Sequence, residues 1–185
     1  MTFTPRLLLR RFLDRLYATS GVLAALCLAG IFVVMLAQSF GREAGVFVRG
    51  ADDIVAWLCA ATAFLALGHT FRHGELVRVG LWLDMLGSRG RWLAELFALG
   101  VTSAFVAYML WAVVRFVYES WKFNEVAQGL IRIPIWMPQL CFVAGVMIFF
   151  IAVLDELVRV VKKQKPTYQL AEESRRAAGD FSETV

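Results

Sequence analysis

Charge is scarce in this 185-residue chain: Asp, Glu, Lys and Arg make up 18% of it, against 59% hydrophobic residues and a mean hydropathy of +0.65. An ordinary soluble domain, about a quarter charged, is excluded by that balance. Cysteine is scarce too. Cys27, Cys59 and Cys141 all fall inside apolar runs, and none forms a Cys-x-x-Cys pair. That spacing supports no disulfide framework, so buried free thiols are expected. A Gly-rich phosphate loop, a serine–histidine–acid set and paired carboxylates at the centre of a hydrophobic run are all missing, which removes the sequence grounds for an enzyme.

Histidine is limited to His69 and His73. Their i, i+4 spacing lets two imidazoles share a helical face, but a metal centre needs further ligands, and the nearest candidate, Glu75, lies beyond Gly74. A transmembrane haem wants axial ligands that face each other across a bundle, whereas this pair sits at one end of one run. Histidines near lipid headgroups are the expected reading, with a haem-binding membrane anchor as the alternative.

What the chain does have is four apolar blocks, each near the roughly 20 residues that cross a bilayer. The first, about 16–39, follows Arg6, Arg10, Arg11 and Arg15; it is longer than the ~7–15 residues of a signal-peptide core and is expected to be retained. The second, about 54–71, starts after Asp52-Asp53, carboxylates suited to the positive end of a helix. Ala56, Ala60 and Ala63 give it a smooth face expected to meet another helix. The third spans about 92–117 and carries the weaker small pair Gly100 and Ala104. The fourth starts near Pro134-Ile-Trp-Met-Pro138, where a first-turn proline loses no helical hydrogen bond, and runs to about Val161. The predicted fold is an all-α integral membrane protein of four transmembrane helices. Residues 1–165 form one membrane domain and 166–185 a polar, loosely ordered tail.

Of the basic residues, Arg6, Arg10, Arg11, Arg15, Arg72, Arg78, Arg89, Arg91, Arg159, Lys162, Lys163, Lys165, Arg175 and Arg176 fall on one side of this topology. Only Arg42, Arg49, Arg115, Lys122 and Arg132 fall on the other. The positive-inside rule therefore places both termini in the cytoplasm, and the net charge of +4 needs no nucleic-acid partner. Residues 71–87, FRHGELVRVGLWLDMLG, become the cytoplasmic connection between spans two and three. Leu76, Val79, Leu83 and Leu86 share a helical face, so part of this loop can lie flat in the interface and touch lipid. Local pairs are expected between Arg91 and Glu95, between Arg115 and Glu119, and from Arg159 to Asp155 and Glu156, the last at the membrane boundary. Trp82, Trp92, Trp121 and Trp136, near span ends, suit an aromatic belt.

Three ordered motifs carry a resemblance. Arg49-Gly-Ala-Asp-Asp-Ile54 precedes the second span; Arg72, Gly74, Arg78 and Val79 follow it; Ile133-Pro-Ile-Trp136, Pro138 and Gly145 lead into the fourth. In this order the chain resembles the small membrane subunit, the Q component, of tripartite ATP-independent periplasmic (TRAP) transporters. Leu76 stands where that family has histidine, and Gly80 where aspartate often follows. The resemblance implies a bacterial inner-membrane scaffold without a cofactor that braces a large multispan transport subunit. A periplasmic substrate-binding protein would deliver an organic anion to that subunit, usually with sodium coupling. It also implies roles in loop geometry or partner contact for Arg49, Asp52, Asp53, Arg72, Gly74, Arg78, Pro134, Trp136 and Pro138. The small subunit of tricarboxylate transport systems shares the four-span plan and stands as a further alternative.

Overall fold

The computed structural model describes residues 5–46, 49–73 and 88–162. Four helices follow one another: α1 (Pro5–Glu43), α2 (Ala51–His73), α3 (Ser88–Lys122) and α4 (Trp136–Val161). Each contains a membrane-spanning stretch, Phe12–Glu43, Ala51–Arg72, Trp92–Lys122 and Trp136–Val161 respectively. The interfacial segment expected at 74–87, with Gly74 and Arg78, and the tail after 165 lie outside the described residues.

Helix α1 is longer than its apolar run because nothing interrupts it. Its one proline is the first helical residue, where the missing N–H would have no partner anyway, and no second proline follows within the helix. At 39 residues it measures about 58 Å, well beyond the ~30 Å hydrocarbon core. Its C-terminus closes on Gly45, at φ +74°, with the amides of Ala44, Gly45 and Val46 returning to the carbonyls of Phe40, Arg42 and Gly41. A side chain is disfavoured at that left-handed position, and glycine is not. At α4, Pro138 occupies the first turn as expected. Pro134 does not: it lies before the helix, opposite Val126 in an isolated antiparallel bridge.

In space α1 packs on α2, α2 on α4 and α4 on α3, with a lighter contact from α1 to α4. Glycines set the central seam. A Cβ on Gly145 would come within 2.5 Å of the Phe64 carbonyl carbon and oxygen, and one on Gly68 within 2.8 Å of the Ile148 side chain. Phe64–Phe142 and Phe71–Phe149 ring pairs flank this approach at 5.1 and 5.5 Å. Close van der Waals packing of this kind is what holds helices together in lipid, where tails compete equally for apolar surface. One core cluster, at the end where α1 begins and α4 finishes, joins Tyr17, Phe71, Leu99, Ala152, Val153 and Val160. A second joins Ala24, Ala61 and Leu65 between α1 and α2.

The alanine face expected to meet a helix does not do so within this chain. Ala56 and Ala63 are exposed, and α2 instead turns Ala61, Leu65 and Gly68 inward. Gly100 on α3 likewise has no neighbour among the described residues within 4 Å of its Cβ position.

Candidate functional site

The singled-out residues that the structure describes gather at the two ends of the bundle. At one end, where α2 begins, the chain between α3 and α4 folds back on itself. Ser120 Oγ donates to Glu125 Oε2 at 2.8 Å, the Ala127 amide to the Ile133 carbonyl at 2.9 Å, and the Ile135 amide to the Glu125 carbonyl at 3.0 Å. Asp53 ties this loop to α2: its Oδ2 accepts the backbone N–H groups of Leu130 at 2.8 Å and Ile131 at 3.2 Å. A carboxylate holding two amides is a charge-assisted contact, stronger than a neutral one. The site depends on two glycines. Gly129 lies so close to the Asp53 carboxylate that a Cβ would overlap it, and Gly50, at φ +79°, faces Ile131 equally closely.

Asp52 points elsewhere, accepting from Gln38 Nε2 of α1 at 3.0 Å. Adjacent acids thus fasten α2 to two different elements. Both lie in the first turn of α2, as the sequence predicted, yet Asp53 does more than favour the helix terminus. Arg49 is an exposed turn residue, and Trp136 is the half-buried first residue of α4. Pro134 serves the same corner, its carbonyl accepting the Met137 amide at 3.2 Å.

At the opposite end Arg72 pairs with Asp14 of α1, and its guanidinium lies 4.9 Å from the Tyr17 ring centroid. Trp92 Nε1 donates to the Val160 carbonyl at 2.9 Å, joining α3 to α4. Asp155 and Arg159 form the expected i, i+4 pair at 3.3 Å in the last two turns of α4, but it is not a solvated pair: Glu156 is 3% and Arg159 9% exposed, so this cluster is packed among helices. Arg115–Glu119 is the exposed local pair expected, at 2.9 Å. His69 packs on α1: its Nδ1 is 3.3 Å from the Tyr17 carbonyl, and its ring fills the space left by Gly21. The signal for this was the glycine on α1, which the sequence does not connect to a residue on α2. Among the described residues no group of three or more His, Cys, Asp or Glu is placed to hold a metal ion.

These features define a multi-pass, all-α membrane protein fastened at both ends by polar contacts between helices. Residues 31–163 match the family of tripartite ATP-independent periplasmic transporters, DctQ component, and the chain belongs to that family, a small membrane subunit of a TRAP transporter. No curated protein and no solved structure matches it.

Proposed function

We propose that this chain is the non-catalytic bracing subunit of its transporter. It holds the large multispan subunit in place while that subunit takes up a carboxylate handed over by a periplasmic substrate-binding protein, with sodium as the coupling ion. The membrane is the bacterial inner membrane, with both termini on the cytoplasmic side, as the distribution of Lys and Arg argues. Residues 1–165 act as one membrane unit and 166–185 as its cytoplasmic tail.

The observation that carries this reading is where the hydroxyls within the spans direct their hydrogen bonds. Thr102 donates to Ala98 at 2.8 Å and Ser20 to Tyr17 at 3.0 Å, each to a carbonyl of its own helix, and Thr62 to Leu58 of its own helix at 2.8 Å and to Ala24 of α1 at 3.5 Å, carbonyls again. Groups engaged in this way offer a hydrated anion no file of partners, whereas a solute path needs polar or charged lining near the midplane. Arg49, Asp52, Asp53, Arg72, Gly74, Arg78, Pro134, Trp136 and Pro138 then serve loop geometry and partner contact.

The test is purification of the tagged chain with the co-expressed large subunit in mild detergent, together with uptake by cells lacking this chain. Stable recovery of the large subunit and lost carboxylate uptake are expected. Transport by the lone chain in liposomes overturns the proposal.

A further inference from the structure

The outer face of α3 differs in kind from the outer face of α1. Helix α1 turns Leu26, Phe32, Val33 and Leu36 outward, hydrocarbon throughout, which lipid tails satisfy. Helix α3 also turns hydrocarbon outward, at Phe97, Val101 and Phe105, but adds Tyr108 and Trp111, which are 65% and 56% exposed. Tyr108 lies next to the midpoint of the Trp92–Lys122 stretch, about 21 Å along the axis from Lys122, and Trp111 about 16 Å from it.

Amphipathic aromatics belong at headgroup level, where water and phosphates accept their hydrogen bonds. At mid-depth, lipid offers the Tyr108 hydroxyl and the Trp111 indole N–H no acceptor, and within the described residues neither finds one. Their rings lie 5.8 Å apart against each other. Leaving such donors unmet in hydrocarbon is unfavourable, so a face of this chemistry is suited to protein and not to lipid.

The same face holds a notch. Gly100, Ala104, Tyr108, Trp111 and Arg115 follow at offsets of 4, 8, 11 and 15 residues, which keeps them on one side of a helix. The space around the Gly100 Cβ position is open, so the backbone there is accessible to close approach. Arg115, above Trp111 at 5.6 Å and paired with Glu119, closes the face with charge at the end nearer Lys122.

We infer that the Gly100–Arg115 face of α3 is the seat of a transmembrane helix of the large subunit, one that runs against Gly100 and presents hydrogen-bond acceptors to Tyr108 and Trp111. The inference rests on the bracing role proposed for this chain and assigns its contact surface.

The test uses the full chain co-expressed with a tagged large subunit, with the photoreactive residue p-benzoyl-phenylalanine placed at position 108 or 111 on α3, or at position 32 on α1. Crosslinks to the large subunit, identified by mass spectrometry, are expected from 108 and 111 and not from 32. Crosslinks from 32 alone, or from both helices alike, overturn the assignment while leaving the bracing role standing. Failure of the unmodified chain to recover the large subunit overturns both. As a second arm, Gly100→Leu fills the notch, where no described residue lies within 4 Å of the Cβ position. Its melting temperature when purified alone is expected to stay unchanged, while recovery of the large subunit falls by about tenfold or more. Undiminished recovery overturns the assignment.

Discussion

One carboxylate oxygen of Asp53, in the first turn of α2, accepts the amides of Leu130 and Ile131, 77 and 78 residues further along the chain. The loop before α4 is thereby held to α2 at a point where its backbone amides lack strand or helix partners. Asp53→Ala leaves both amides without their acceptor and is expected to cost about 1–3 kcal/mol. Asp53→Asn keeps an uncharged acceptor oxygen and is expected to cost less. Thermal unfolding in detergent gives the order, and faster hydrogen exchange at Leu130 and Ile131 localises the effect. Equal unfolding temperatures for all three proteins would remove Asp53 from its assigned role.

Two glycines in the spans have opposite surroundings and so opposite expected responses to the same change. At Gly145 a methyl group meets the Phe64 backbone, which cannot swing aside, so Gly145→Ala has to push α2 and α4 apart. A loss of about 1–3 kcal/mol, the usual cost of overpacking, is expected. At Gly100 none of the described residues lies within 4 Å of the Cβ position, and alanine is the better helix former by about 0.5–1 kcal/mol. Melting of the purified chain should therefore fall for Gly145→Ala and hold or rise for Gly100→Ala.

The Arg72–Asp14 pair fastens the start of α1 to the end of α2, with side chains 19% and 52% exposed. Exposure of the aspartate limits the ion pair to about 1 kcal/mol or less. Arg72 also rests on the Tyr17 ring, so Arg72→Ala is expected to destabilise more than Asp14→Ala, and Arg72→Lys to fall between them. The Asp14→Ala deficit should shrink in high salt, which screens the charge contact and not the packing.

His69 is packed against Gly21 with a ring nitrogen toward the Tyr17 carbonyl, an environment that fixes an imidazole between two helices. The purified protein is expected to show no Soret absorption, before or after incubation with haemin. A Soret band lost in His69→Ala would instead establish the haem-anchor alternative.

The four spans were legible because hydropathy is local: about twenty apolar residues in succession have one low-energy arrangement in a bilayer, a helix whose backbone groups pair internally. The Arg115–Glu119 and Asp155–Arg159 pairs were legible for a similar reason, since helical periodicity alone brings residues four apart together. The burial of Glu156 and Arg159 was not legible, because it is supplied by the other helices and not by their own sequence.

Which face of each helix meets its neighbours was decided only by the tertiary structure. In water the buried side of a helix is apolar and the free side polar, so the pattern names the contact. In lipid both sides are apolar, and Ala56 and Ala63 read as a contact face as well as Ala61 does. The contacts that fix neighbours are instead steric and long-range: Gly145 against Phe64, Gly21 against His69, Asp53 against Leu130 and Ile131. The sequence by itself determined that four helices cross the membrane and which apolar stretch each is built on, because each forms on its own residues. Their order in space and the roles of those glycines and of Asp53 came from the assembled bundle, because each depends on a partner distant in the chain.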